Sequence, residues 1–194
     1  MAQAIQPRAI SAADYLAFER ASEERHELID GQIVAMTGGT FEHAVIAGNV
    51  ARELGKALRD RPCWVCPADM RIKIEASERY TYADAAVVCG TPRFEGDRRD
   101  TLLNPTALFE VLSDSTESYD RGEKFAHYRT LASLADYVMV AQKQVLVEHF
   151  QRQPDGGWLL RALGLGERLA LPSLGCEVAV DAFYLKVFGD RGES

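Results

Sequence analysis

The chain has 194 residues, 47% of them hydrophobic and 26% charged, which fits one globular domain with a single core. No apolar run approaches the ~20 residues of a membrane-spanning helix, and no basic stretch precedes an apolar core at the start, so we expect neither an anchor nor a secretory signal. The net charge of −7 argues against binding nucleic acid by surface charge alone, but it allows a local metal site with acidic ligands. We therefore expect a cytoplasmic protein with one domain at 1–188 and a flexible tail at 189–194.

The first predicted elements are a helix and a hairpin. Ser11 and Asp14 have the spacing of a capping box, which predicts a helix beginning at Ser11. The segment 25–36 contains Asp30-Gly31 between two runs rich in apolar residues, a pattern typical of a tight β-hairpin turn. The N-terminus is therefore predicted to form a helix followed by a hairpin.

A second, longer helix is predicted from Phe41 to about Asp60. Thr40 stands at the position of its N-cap. Its apolar residues recur every four positions, which is helical spacing: Ile46, Val50, Leu54 and Leu58.

The remainder of the chain reads mainly as strands. Apolar or alternating patterns predict strands at 64–65, 70–74, 82–89, 107–112, 137–141, 145–150, 158–163 and 177–180. Two more helices are predicted at 120–131 and 181–188, and a polar loop at 90–105. Because strands and helices do not alternate strictly, we expect an α/β (α+β) fold with a mixed β-sheet flanked by helices.

The four cysteines give no metal-binding pattern. Cys63 and Cys66 form a Cys-x-x-Cys pair, but neither a second pair nor a histidine pair has zinc spacing. We therefore expect buried free thiols, with a redox or zinc role as the alternative. Such cysteine use fits a reducing compartment.

Two carboxylates interrupt apolar strand patterns. Asp84 lies in the run Tyr-Ala-Asp-Ala-Ala-Val-Val, and Glu110 lies in Ala-Leu-Phe-Glu-Val-Leu. A carboxylate in a buried strand costs free energy unless a cation or hydrogen bonds satisfy it. If the two side chains converge from neighbouring strands, they make a hard oxygen site suited to Mg²⁺ or Mn²⁺. The alternative is that each faces solvent or pairs with an arginine or lysine.

A lysine follows these strands on the next predicted helix. Asp120, Lys124 and Tyr128 are spaced by fours and so share a helix face. Lys124 can then reach back to the carboxylates and hold an attacking water or stabilise a phosphoryl oxyanion. The alternative is an exposed ion pair with Asp120.

These segments together resemble the PD-(D/E)XK nuclease superfamily, and in particular its Uma-type family of small bacterial restriction-endonuclease-like proteins. The resemblance covers about residues 11–150 and is carried by four stretches: Tyr82 to Cys89, Pro105 to Ser113, Asp120 to Tyr128 with Lys124 between them, and Asp136 to Val140. The hairpin from His26 to Gly31 and the following His43 also resemble that family.

The resemblance implies a restriction-endonuclease-like fold, phosphodiester hydrolysis in nucleic acid, with DNA as the expected substrate, and a homodimer. It implies that Asp84, Glu110 and the backbone carbonyl of Val111 bind Mg²⁺ or Mn²⁺. It further implies that Lys124 is the catalytic lysine and that Glu27 is an additional acidic residue of the site. The apolar pattern of residues 137–180, which exceeds what two short closing elements can cover, also predicts self-association.

The sequence departs from the superfamily pattern at two positions. Ala83 replaces the proline before the motif aspartate, and Leu112 stands where the pattern has its catalytic lysine. Activity therefore requires that Lys124 has taken over the lysine's role. Two hypotheses remain: a metal-dependent endonuclease, and a catalytically inactive module of the same fold that binds nucleic acid or a protein. His43 could reach the site, or could cap its helix or pack in the core.

Overall fold

The computed structural model describes residues 9–36, 38–113 and 117–188. The helices are α1 (Ala12–Ala21), α2 (Phe41–Ala57), α3 (Glu117–Tyr119), a π-helical turn (Asp120–Lys124), α4 (Phe125–Tyr128) and α5 (Val180–Phe183). The strands are β1 (His26–Ile29), β2 (Gln32–Ala35), β3 (Cys63–Pro67), β4 (Arg71–Ile74), β5 (Arg79–Tyr82), β6 (Ala85–Cys89), β7 (Thr101–Leu102), β8 (Ala107–Leu112), β9 (Asp136–Ala141), β10 (Val147–Arg152), β11 (Trp158–Leu163), β12 (Arg168–Leu171) and β13 (Cys176–Ala179). Within the described ranges, no helix is long and apolar enough to cross a membrane.

The strands form two larger sheets and one small one. The six-stranded sheet has the order β11-β10-β9-β8-β6-β3, and its β8–β9 pair is parallel while the other pairs are antiparallel. The five-stranded sheet has the order β2-β1-β5-β4-β7, and β12 pairs with β13. The predicted class, a mixed sheet flanked by helices, is confirmed, but the strands are divided between sheets.

The N-terminal elements follow the sequence signals closely. The Ser11 side chain accepts a hydrogen bond from the amide of Asp14 and so caps α1. Strands β1 and β2 form the expected hairpin, and both turn residues, Asp30 and Gly31, have positive φ angles of 49° and 74°. Two successive positive φ angles are typical of the turn that best matches the twist of two-stranded hairpins.

Helix α2 covers one face of the six-stranded sheet. Its four apolar residues at helical spacing, from Ile46 to Leu58, are all buried. They pack in one core with side chains of β6, β8 and β9, including Val87, Phe109 and Val138. The helix itself ends at Ala57, three residues before the predicted end.

Strand β8 is buried on both faces. Phe109 and Val111 belong to the core beneath α2, whereas Leu108 and Leu112 belong to a second core that includes Tyr128 of α4. Because side chains alternate along a strand, Glu110 lies on the second face, between the two leucines. A carboxylate is thus placed inside an apolar layer.

Several elements differ from those predicted. The strand predicted at 82–89 is interrupted at Ala83 and Asp84, so that β5 lies in one large sheet and β6 in the other. The helix predicted at 181–188 is only the four-residue α5, and β12 was not predicted. Asp84 therefore lies at the bend between two sheets rather than inside a strand, and a bend frees it from a position that disfavours Asp.

The expectation of a free thiol is wrong for Cys63 and holds for Cys66. Cys63 and Cys89 lie opposite each other on β3 and β6 and form a disulfide, while Cys66 and Cys176 are free. The pairing depends on strand register, which brings together residues 26 positions apart. Cysteine usage therefore gives no argument for a reducing compartment.

Candidate active site

The candidate site begins where the two large sheets meet. Strands β6 and β8 are neighbours, and their register, with Ala85 opposite Phe109, brings Asp84 to the level of Glu110. The Oδ2 atom of Asp84 accepts a hydrogen bond of 2.7 Å from the amide of Val111. Asp84, which directly precedes β6, thus lies at the level of Glu110 in the middle of the neighbouring β8.

Glu110 is held by two donors inside the core. Only 4% of the residue is exposed. Its Oε1 atom accepts a hydrogen bond of 3.0 Å from the Tyr128 hydroxyl and lies 2.9 Å from Nζ of Lys124. Burial raises the pKa of Glu110 well above its usual value, and Lys124 opposes that shift. The ionised form of Glu110 therefore depends on a neighbouring cation.

Lys124 faces three buried carboxylates. Its Nζ atom lies 2.9 Å from Glu110, 3.6 Å from Asp120 and 3.7 Å from Glu27, and it donates a hydrogen bond of 3.1 Å to the carbonyl of Tyr82. Burial alone would lower the pKa of Lys124, but the carboxylates, Glu110 foremost, raise it well above the usual value. The lysine therefore stays charged, and the alternative of an exposed ion pair is wrong.

We call Glu27, Glu110, Asp120 and Lys124 the carboxylate–lysine cluster. Each of the four residues is at most 7% exposed. With its three carboxylates ionised around one lysine, this buried cluster would carry more negative than positive charge, and Asp84, which is 17% exposed and contacts His43, lies beside it. Such an imbalance is costly unless protons or a further cation compensate it.

Glu27 joins the cluster from the N-terminal hairpin. Its Oε1 atom accepts hydrogen bonds from the Thr81 hydroxyl and, at 3.3 Å, from the amide of Tyr82. Both donors lie on β5, the strand that pairs with β1. The hairpin is therefore part of the wall of the site.

A π-helical turn positions the lysine. Residues 120–124 form one wide turn between α3 and α4, and Asp120 and Lys124 are both buried within it. π-helical turns are rare, and they occur frequently at functional sites. The spacing of fours correctly predicted that Asp120, Lys124 and Tyr128 share a face, but it did not predict this wider turn.

Some residues of the site carried no signal in the sequence. The Thr81 hydroxyl and the carbonyl of Tyr82 bind Glu27 and Lys124, respectively. Neither residue type is unusual in a strand, so only the structure assigns them. For His43 the sequence leaves three alternatives: reaching the site, capping its helix or packing in the core. The structure favours the first, because the Nε2 atom of His43 lies 2.9 Å from Oδ1 of Asp84. That hydrogen bond raises the pKa of His43 although burial opposes the shift.

The donor set suits a hard cation with few protein ligands. Among the residues that the structure describes, no group of three or more His, Cys, Asp or Glu side chains is arranged as a metal cluster. Mg²⁺ usually takes only one or two carboxylates and completes its shell with waters and substrate oxygens. Asp84 and Glu110, with the surplus of buried negative charge around them, fit that requirement.

Comparisons with known proteins agree on one family. Residues 12–181 match the family model described as "Uma2: Putative restriction endonuclease". The uncharacterized protein slr1290 of Synechocystis sp. is 37% identical over 177 residues, which are 90% of this chain and 91% of that protein. A second Synechocystis protein, sll1609, is 35% identical over 158 residues, 81% of this chain and 89% of that protein.

The fold is shared with a solved structure. It is the crystal structure of "a putative nuclease belonging to DUF820" from Anabaena variabilis, which superposes with a TM-score of 0.73. The alignment covers 91% of this chain and 98% of that one at 13% sequence identity, so the likeness concerns the fold alone. The restriction-endonuclease-like fold class expected from the sequence is thereby confirmed.

The carboxylate–lysine cluster predicts that replacing the buried Lys124 destabilises the protein far more than replacing an exposed lysine does. Lys124→Met should lower the free energy of unfolding by about 3–5 kcal/mol, because it leaves buried carboxylates without their cation. The matched control is Lys56→Met, since Lys56 forms an ion pair with Glu53 but its side chain is 64% exposed, and it should cost less than about 1 kcal/mol. Urea denaturation measures both, and equal losses would contradict the assigned burial of Lys124.

Proposed function

Because the chain belongs to the Uma2 family of restriction-endonuclease-like proteins, we propose that it is a metal-dependent endonuclease that hydrolyses phosphodiester bonds in nucleic acid. The observation that carries this proposal is the buried Lys124 among three carboxylates beside Asp84. DNA is the substrate we propose, since restriction endonucleases as a class cut DNA.

In this proposal Asp84, Glu110 and the backbone carbonyl of Val111 hold Mg²⁺ or Mn²⁺. Asp84 directly precedes β6 and lies at the level of Glu110 on the neighbouring β8, and the Val111 amide donates a hydrogen bond to Asp84. When bound, the ion supplies charge neutralisation at the scissile phosphate and an activated water. A cation there would also offset the surplus negative charge of the carboxylate–lysine cluster.

Lys124 is the proposed catalytic lysine, acting from the helix rather than from the strand. Its three ammonium protons allow it to donate to Glu110 and to the carbonyl of Tyr82 and still reach a water or a phosphoryl oxygen. Glu27, 3.7 Å from Nζ, helps to orient it. An ammonium beside a developing oxyanion stabilises the transition state more than the ground state.

The second candidate function is an inactive module that binds nucleic acid or a protein. It is favoured by Leu112, which is 4% exposed and packs in the second core where the superfamily pattern has a lysine. The two candidates differ in one measurable property, which is metal-dependent cleavage of nucleic acid. Only the enzyme shows it, and its rate depends on the metal ligands.

A nuclease assay on single- and double-stranded DNA and RNA, with Mg²⁺ or Mn²⁺, tests the proposal. Asp84→Asn and Glu110→Gln should each reduce the cleavage rate by about 10²–10³-fold, because each removes one charged group that supports the transition state. The matched controls are Asp69→Asn and Glu177→Gln, whose side chains are 78% and 57% exposed, and they should cut at the wild-type rate. Absence of metal-dependent cleavage by the wild type on every substrate would favour the inactive module.

A relocated lysine tests the role of Lys124. Lys124→Met should abolish cleavage, and the double variant Lys124→Met/Leu112→Lys should restore part of it. The reason is geometric: residue 112 lies two positions after Glu110 on β8 and so shares its face. Assays are run below the melting temperature of each variant, checked by circular dichroism. If Lys124→Met cuts as fast as the wild type, the lysine has no catalytic role.

We also propose that the chain forms a homodimer. The outer strand β11 exposes Leu159 and Leu160, with 40% and 47% of each residue accessible. Consecutive strand residues point to opposite faces, so both faces of this sheet edge are partly apolar, which an interface between two copies would cover. Multi-angle light scattering at micromolar concentration should give twice the mass of one chain, and the mass of a single chain would contradict the proposal.

A further inference from the structure

We propose that His43 is a positioning residue, which donates a hydrogen bond to Asp84 and holds that carboxylate in the orientation in which it binds the metal. This inference rests on the proposed function, since it concerns the same metal site. His43 lies in the first turn of α2, and the proposed function assigns no role to its side chain.

The Asp84 carboxylate is held at both of its oxygen atoms. Nε2 of His43 lies 2.9 Å from Oδ1, and the amide of Val111 donates to Oδ2 at 2.7 Å. Two donors on different elements fix the plane of the carboxylate. Each oxygen keeps a second lone pair, since an ionised carboxylate offers about four acceptor sites. Asp84 can therefore bind a cation without giving up either hydrogen bond.

The two ring nitrogens of His43 have different surroundings. Nδ1 is buried and has no hydrogen-bond partner among the described residues, whereas Nε2 contacts Asp84. A contact with a carboxylate requires a proton on Nε2. Among the described residues, the ring makes its only polar contact with Asp84. We therefore assign the ring the role of binding that carboxylate.

The backbone of His43 and the space around its ring are also restrained by neighbouring residues. The Thr40 hydroxyl oxygen accepts a hydrogen bond from the amide of His43 at 3.3 Å and another from the Gln142 side chain at 2.8 Å. Gly39 lies against the ring, and a Cβ atom added there would be 2.7 Å from Cδ2 of His43. The hydrogen bonds to Thr40 thus anchor the backbone of His43, and Gly39 leaves the space that the imidazole occupies beside Asp84.

Hydrogen bonds to a ligand carboxylate matter for metal affinity, and their removal typically weakens binding about 10–100-fold. We therefore expect His43→Phe, which keeps a ring and removes the donor, to weaken Mn²⁺ binding by about that factor. His43→Gln should restore most of the affinity, because the glutamine amide nitrogen can take the place of Nε2. Gly39→Ala should weaken binding in the same direction as His43→Phe, because it displaces the ring.

The experiment measures Mn²⁺ dissociation constants by calorimetry and electron paramagnetic resonance, with melting temperatures alongside. The matched control is His149→Phe, because Nε2 of His149 makes a comparable buried contact of 2.6 Å with Asp136, away from the proposed ligands. His149→Phe should lower the melting temperature and leave the Mn²⁺ affinity unchanged. A purely structural role for His43 predicts that both variants behave in this same way.

One outcome would contradict the metal site of the proposed function, and another would contradict only the positioning role of His43. If wild-type protein binds Mn²⁺ no better than Asp84→Ala does, the metal site of the proposed function is wrong, and the role of His43 falls with it. If the wild type binds Mn²⁺ with an affinity that requires Asp84, and His43→Phe binds it equally well, the metal site stands and the positioning role is wrong. Failure of His43→Gln to recover affinity would likewise contradict a role based on hydrogen-bond donation.

Discussion

The constraint on which the site depends is the burial of one lysine with several carboxylates. Lys124 and its neighbours Glu27, Glu110 and Asp120 are almost without solvent contact. In a low-dielectric interior, an unpaired charge costs several kcal/mol, so each of these side chains depends on the partners around it. Those partners come from the hairpin, from strands β5 and β8 and from the π-helical turn, so the site joins all of these elements.

The topology supplies this arrangement by separating the two faces of β8. Phe109 and Val111 bind the sheet to α2 through an apolar core, and Glu110 faces the other way, into the second core. Asp84 reaches the same place from the bend at which the chain passes from one large sheet to the other. Glu110 thus lies on a strand with an apolar core directly behind it, and Asp84 lies at the start of the neighbouring strand, which favours a well-defined site geometry.

The position of the lysine distinguishes this chain from the general superfamily pattern. A lysine at residue 112 would come from the same strand face as Glu110, where Leu112 now packs. Lys124 approaches from the helix that covers that face and arrives within 2.9 Å of the same carboxylate. The structure thus places a buried cation beside the carboxylates from a different element of the fold, and the proposed function assigns it the role of the superfamily lysine.

The sequence by itself determined the first helices, the hairpin and several strands, the family resemblance and most residues of the candidate site. Apolar spacing and capping residues are local properties, so α1, the β1–β2 hairpin, α2 and β8 were predicted close to their observed positions. Asp84 and Glu110 could be identified because a carboxylate breaks an apolar pattern, and Lys124 because it shares a helix face with Asp120.

Only the tertiary structure decided how these residues meet. The division of the strands between two sheets, the disulfide of Cys63 with Cys89 and the hydrogen bond from His43 to Asp84 all join residues that are distant in sequence. Such contacts depend on strand register and on the packing of helices against sheets. Strand register and helix packing are set by the free energy of the whole core. A local sequence pattern does not report that free energy.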